Sequence, residues 1–131
     1  MELRKRKPDF EKAKSLISVA ESDMNFTFKL KISEESANTI VRNVYECFRM
    51  LGEALLAAEG FEGADHVACI QRILKLDINS KISLNFLEAL RKIRHNVNYY
   101  GYKTGIVEAE EAVAFSREGF GKIIKKIREV F

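Results

Sequence analysis

The sequence predicts an all-α fold, an up-and-down antiparallel bundle of four long helices plus one shorter helix. Apolar residues recur at three- and four-residue steps along most of the chain, which is the period of an amphipathic helix. One proline and seven glycines interrupt 131 residues. The segments between the periodic stretches are short, which favours antiparallel neighbouring helices. The length fits a single domain over residues 1–131.

The first two helices are predicted at about residues 8–24 and 33–59. Pro8 suits a first helical turn, where its missing N–H is not needed. Ser33 is a suitable N-cap for the second helix, and Gly60 is a natural stop. The inward stripe of the first helix is Phe10, Ala13, Ile17, Ala20 and Met24, and that of the second is Ile40, Val44, Cys47, Phe48, Leu51 and Leu55.

Three further helices are predicted at about residues 64–76, 80–100 and 107–130. Val67, Ile70 and Leu74 point inward from the first of these, and Gly101 ends the second. The last helix begins with acidic residues and ends with basic ones, which complements the helix dipole.

The segment at residues 25–32 has a different period. Phe26, Phe28, Leu30 and Ile32 alternate with polar residues, which is typical of a strand. We interpret it as an extended connector whose apolar side chains lie on the bundle. The alternative is an edge strand that pairs with a second copy of the chain across a dimer axis.

The positive charge is concentrated at the start of the chain. The sequence has 22 Lys and Arg against 19 Asp and Glu, and residues 1–7 hold four of the basic residues and one acidic residue. The remainder is therefore neutral, and residues 1–7 form a basic N-terminal tail. We interpret the tail as a solvated terminus; contact with phosphate or with an acidic lipid surface is the alternative.

Several classes of protein do not fit this sequence. No CxxC pair, HExxH motif or Walker loop is present, so neither a metal nor a cofactor is expected. No apolar run approaches the roughly 18 residues of a membrane span, and no apolar stretch follows the basic start as in a signal peptide. Cys47 and Cys69 lie among apolar neighbours. We expect both to be buried and reduced in a cytoplasmic protein.

The fourth predicted helix carries a polar face. At 100° per residue, its apolar arc comprises Phe86, Ala89, Leu90, Ile93, Val97 and Tyr100. A different face comprises Arg91, Arg94, His95, Asn98 and Tyr102, with Tyr99 at its edge. Arginine offers bidentate donors to phosphate, and histidine exchanges protons near neutral pH. This face is therefore a candidate anion site.

Two stretches resemble the HEPN superfamily of small helical-bundle proteins. Residues 43–71, NVYECFRMLGEALLAAEGFEGADHVACIQ, resemble its long second helix followed by a histidine, here His66. The family signature on the fourth helix is arginine, a polar residue, three variable positions and then histidine. Arg94 and His95 match its first two positions, and Tyr99 stands where the histidine belongs. Some branches of the family have this Arg-x4-Tyr pattern, and the resemblance covers about residues 8–130.

The resemblance implies metal-independent RNA cleavage in a cleft formed by two protomers, often in a toxin–antitoxin pair with a small nucleotidyltransferase. A phenol has an ordinary pKa near 10 and is a poor general base at pH 7, so we expect a degenerate ribonuclease site that acts on or binds RNA or a nucleotide. The catalytic candidates are Arg94, His95 and Tyr99, and the ligand-binding candidates are Arg91, Asn98 and Tyr102.

The alternative function is a non-catalytic interaction module that partners a nucleotidyltransferase. In that case Tyr99, Tyr100 or Tyr102 is a candidate for nucleotide modification. For His66 we favour a packing or capping role, and we expect Tyr45 and Phe48 in the core.

Overall fold

A computed structural model describes residues 4–79, 83–129 and 131. Within these residues the helices are α1 (Phe10–Phe28), α2 (Ala37–Ala58), α3 (His66–Leu74), α4 (Phe86–Tyr100) and α5 (Ile106–Arg128). Two short strands, β1 (Arg4–Lys5) and β2 (Phe61–Glu62), pair antiparallel. The prediction of an all-α fold is confirmed. In the part of the chain described, no helix has the length and apolar character needed to cross a membrane.

The second helix is the centre of the fold. It packs against α1, α3, α4 and α5, and its predicted apolar stripe is buried as expected. Phe48 on α2 contacts both Phe115 and Phe120 on α5, with ring centroids 5.2 and 5.3 Å apart. Cys47 and Cys69 are buried free thiols. Burial raises their pKa values to about 12 and about 11, which leaves both protonated at neutral pH.

The extended connector predicted at residues 25–32 is wrong over its first half, because α1 continues through Phe28. The helical stripe continues to Thr27, which is buried and donates its hydroxyl to the Asp23 carbonyl at 2.8 Å. Phe26 is 60% exposed, the opposite of its place in the strand pattern. The alternative of an edge strand fails there for the same reason. Leu30 and Ile32 do lie against the core.

The basic tail is not a free terminus over its described part. Arg4 pairs with Glu62 and Lys5 with Phe61 in the β1–β2 ladder. Arg6 also donates from Nε to the Glu62 carboxylate at 2.8 Å. Strand pairing and one ion pair therefore hold residues 4–6 against the segment that follows α2. Residues 1–3 lie outside the described residues.

The helix ends agree in part with the predictions. Gly60 and Gly101 follow α2 and α4 with φ of 88° and 66°, as their predicted role requires. Ser33 is not the N-cap of α2: its hydroxyl contacts Ser36 in a turn, and Ser36 precedes the helix. The fourth helix begins at Phe86 rather than Ser80. Residues 80–82 and 130, which the predicted helices included, lie outside the described part.

Candidate functional site

A cleft of about 220 Å³ lies between α2, the start of α3 and α4. Its lining comprises Tyr45 of α2, then Asp65, His66 and Val67 at the start of α3, and Arg91, Arg94, His95 and Tyr99 of α4. Four of the six sequence-predicted site residues thus meet in one place, together with Tyr45, His66 and Val67, for which the sequence predicts structural roles.

Tyr45 and His66 form the floor and one wall of this cleft. The Tyr45 side chain is fully buried, as predicted, and its hydroxyl lies 3.1 Å from Nδ1 of His66. Burial raises the pKa of Tyr45 to about 12, so its hydroxyl keeps its proton. Burial also lowers the pKa of His66, and the nearby guanidinium of Arg94 lowers it further. The imidazole is therefore neutral at pH 7.

The local sequence explains why His66 is held in place. Asp65 caps α3 by accepting a hydrogen bond from the backbone N–H of Ala68 at 2.8 Å. Behind it, Gly52 of α2 lies against the backbone of Cys69, where a Cβ atom would stand 2.2 Å from the carbonyl oxygen. This close approach of α2 and α3 brings Tyr45 and His66 together.

Arg94 extends from α4 over the Tyr45 ring. Its guanidinium carbon lies 5.6 Å from the ring centroid, within the range of a cation–π contact. Among the residues described, no carboxylate lies within ion-pair distance of Arg94. The side chain is half-buried and lines the cleft, so its charge is available to an anion.

Arg91 is differently placed from Arg94. Its Nε donates to Glu88 at 2.9 Å, so a carboxylate already balances part of its charge. It also lines a second groove, of about 270 Å³, with Lys92, His95 and Asn96. The two depressions share Arg91 and His95, and they form one basic surface across α4.

Three aromatic rings cluster on the second half of α4, and two of them, those of His95 and Tyr99, line the cleft. The His95 ring lies 4.6 Å from the Tyr99 ring and 5.9 Å from the Tyr100 ring, centroid to centroid. Tyr99 and Tyr100 are 71% and 76% exposed. Neighbouring exposed aromatic side chains of this kind are a common feature of binding surfaces.

Asn98 and Tyr102 do not line the cleft, so their predicted ligand-binding role finds no support in its geometry. Asn98 is exposed on α4. Tyr102 follows the left-handed Gly101, which ends the helix, and its hydroxyl donates to Glu108 at 3.0 Å. That hydrogen bond raises the pKa of Tyr102. The helical projection is wrong for Tyr102 because it extends past the end of α4. The projection is also wrong for Ala89, which it places on the apolar arc but which is exposed. Leu87, which it leaves off that arc, is buried.

His66 is the cleft residue whose position the sequence does not predict. Of its expected packing or capping role, the packing is observed against Tyr45, whereas Asp65 provides the cap; His66 also lines the cleft. Tyr45 is the feature of the sequence that could have indicated this position of His66. A tyrosine predicted in the core needs a hydrogen-bond partner for its hydroxyl. A polar residue at the start of the next helix is the nearest source of one.

No group of three or more His, Cys, Asp or Glu side chains in the described residues is arranged to hold a metal ion. Comparisons with protein-family models, with curated proteins and with solved structures find no match to this chain. The function must therefore be argued from the cleft itself.

Proposed function

We propose that the cleft between α2, α3 and α4 binds RNA or a nucleotide through a phosphate group. The observation that carries this proposal is Arg94, a half-buried guanidinium that lines the cleft without a carboxylate partner among the described residues. Arginine is the side chain best suited to bidentate contact with phosphate. Arg91 and His95 add donors on the same wall.

The aromatic rim supports a nucleotide rather than a simple anion. Nucleobases of any identity stack on exposed aromatic side chains. Tyr99 and Tyr100 are exposed aromatic side chains on α4, the helix that carries the cationic wall. One nucleotide could use both features, with its phosphate bound by Arg94 and its base stacked on Tyr99. In this role Tyr99 contributes its face rather than acid–base chemistry.

We further infer that the chain is a HEPN-like protein of the branch with Arg-x4-Tyr, folded as an up-and-down bundle of four long helices plus one shorter helix. Placement of Arg94 and Tyr99 in one cleft supports this assignment. The site is then a degenerate ribonuclease site at the cleft of a cytoplasmic homodimer, and the exposed tyrosines of α4 support a second protomer at this face.

The same exposed tyrosines favour a second candidate function. In a non-catalytic module that partners a small nucleotidyltransferase, Tyr99 and Tyr100 are accessible to a modifying enzyme. Mass spectrometry after co-expression with the genomic neighbour tests this role. A nucleotide adduct on either residue supports it, and its absence argues against it.

The main proposal is tested with mixed-sequence RNA in EDTA, scored for both binding and cleavage. Arg94→Ala is expected to weaken binding by about tenfold or more, because a charge-assisted hydrogen bond is lost. Any cleavage by the wild-type protein is expected to disappear in the same variant. Equal binding by the wild type and Arg94→Ala contradicts the proposal.

The matched control is Arg117→Ala. Arg117 lies on α5 and stacks on Phe28, with 4.3 Å between its guanidinium carbon and the ring centroid, and it does not line the cleft. This variant removes the same formal charge at a distant place. RNA affinity should change far less than in Arg94→Ala, and an equal loss in both variants would indicate non-specific attraction by net charge.

A further inference from the structure

One ring nitrogen of His66 has no protein partner among the described residues. The Tyr45 hydroxyl engages Nδ1, and within the described residues no hydrogen bond is made by Nε2. The His66 side chain is half-buried and lines the cleft, so Nε2 is the ring nitrogen left for a ligand. The nearly parallel packing of the two rings, at 3°, fixes its direction.

Arg94 and His66 flank the same tyrosine. The guanidinium carbon of Arg94 lies 5.6 Å from the Tyr45 ring centroid, and the His66 ring centroid lies 5.8 Å from it. Arg94 and His66 therefore lie beside one ring, and a nucleotide is long enough to contact both, with its phosphate at Arg94 and an attached sugar at His66.

A sugar hydroxyl is the ligand group that suits this nitrogen. The Tyr45 hydroxyl either donates to Nδ1 or accepts from it, so Nε2 carries a proton in one tautomer and a lone pair in the other. A hydroxyl both donates and accepts, and it pairs with either form. A phosphate oxygen only accepts, and it pairs with one form alone.

We propose that His66 is a specificity-determining residue of the cleft, whose Nε2 contacts the ribose 2′-hydroxyl of a nucleotide held through its phosphate by Arg94. This inference rests on the proposed function, and it adds that the cleft selects RNA over DNA. The 2′-hydroxyl is the group by which proteins distinguish the two nucleic acids at a single position.

The experiment compares three labelled oligonucleotides of one sequence by fluorescence anisotropy in EDTA: RNA, DNA and 2′-O-methyl RNA. The wild-type protein is expected to bind RNA about fivefold more tightly than DNA, the effect of one neutral hydrogen bond. The 2′-O-methyl RNA should bind more weakly than RNA, since its methyl group replaces the hydroxyl proton and crowds the oxygen that would contact Nε2.

His66→Ala is expected to bring the RNA-to-DNA affinity ratio close to one, because it lowers the affinity for RNA more than the affinity for DNA. His66→Phe retains a packed ring without either nitrogen, and it gives the same test if the alanine variant does not fold. The control is His95→Ala, the only other histidine in the chain. Because His95 lies on the opposite wall, this variant should change both affinities by the same factor.

The outcomes separate this inference from the proposed function. If RNA and DNA bind equally and both depend on Arg94, the 2′-hydroxyl contact is wrong and the phosphate-binding cleft stands. The 2′-hydroxyl contact is also wrong if the preference for RNA survives in His66→Ala and His66→Phe. If neither nucleic acid binds, or if Arg94→Ala does not change the affinity, the proposed function and this inference are both wrong.

Discussion

The hydroxyl of Tyr45 lies 3.1 Å from Nδ1 of His66, and this contact joins the central helix α2 to the first residue of α3. Tyr45 is fully buried, so its hydroxyl needs a partner inside the protein. His66 is that partner, and it is also a wall of the cleft. One hydrogen bond therefore serves both the packing of the bundle and the orientation of a candidate ligand group.

Tyr45→Phe is expected to reduce the free energy of unfolding by about 1 kcal/mol, the usual contribution of one hydrogen bond. The phenyl ring keeps the packing, so the loss reports the hydroxyl alone. Urea denaturation measures it. Tyr99→Phe is the control, because that ring is exposed and the change should lie within about 0.5 kcal/mol of zero. Equal stability of both variants would show that the Tyr45–His66 contact contributes nothing.

His66 gives the folded protein a specific dependence on pH. Burial and the guanidinium groups of Arg94 and Arg49 lower its pKa, and they outweigh the opposing carboxylates of Glu46 and Asp65. Protonation is therefore less favourable in the folded state than in the unfolded chain, where the pKa is about 6.5. The unfolded chain binds more protons, so the contribution of His66 to stability is present above that value and is lost as the pH falls toward the lowered one.

The expected result is that His66→Ala has a shallower loss of stability than the wild type between about pH 7.5 and about pH 5. Denaturant titrations at several pH values measure the slope. The control is His95→Ala, since His95 is exposed. A wild-type slope that His66→Ala does not change would place the acid sensitivity elsewhere in the molecule.

The contact between α2 and α3 depends on the absence of a side chain at Gly52. A Cβ atom there would lie 2.2 Å from the Cys69 carbonyl oxygen and 2.7 Å from its carbon, both backbone atoms. Gly52→Ala must therefore push the two helices apart, and we expect a loss of about 3 kcal/mol or more, at the upper end for overpacking.

The matched control is Gly121→Ala. Gly121 is an exposed residue inside α5 with no atom within 4 Å of its added Cβ. Alanine is the better helix former, so this variant should be more stable by about 0.5–1 kcal/mol. Thermal unfolding of both proteins tests the opposite signs. Destabilisation by both substitutions to the same extent would contradict the role of close packing at Gly52.

The predicted helix centres are reliable where one face is strongly apolar. The stripe of α2 from Ile40 to Leu55 is buried because it faces every other helix of the fold. The alternation at residues 25–32 is misleading because eight residues are too few to separate a strand from the end of a helix. Thr27 continues the buried stripe of α1 by bonding its hydroxyl to the Asp23 carbonyl, a pairing that a hydropathy pattern does not register.

The candidate site is predictable only on one wall. Arg91, Arg94, His95 and Tyr99 share α4, so their spacing places them together. The other wall comes from Tyr45 and His66, whose meeting depends on how α2 and α3 pack. That packing depends on residues far apart in the sequence. The apolar periodicity within either helix therefore does not predict it.

Tyr99 stands at the position where the resemblance expects a proton-transferring histidine, and its chemical role can be tested. Its side chain is 71% exposed, and its ring packs on His95 at 4.6 Å. If Tyr99 stacks a base, Tyr99→Phe keeps the RNA affinity of the wild type, whereas Tyr99→Ala loses about 1–3 kcal/mol of binding free energy. If instead the hydroxyl acts on a phosphate or a proton, Tyr99→Phe is as impaired as Tyr99→Ala. Fluorescence anisotropy with one RNA separates the two roles, and melting curves of both variants exclude a loss of folding, because an exposed side chain contributes little to stability.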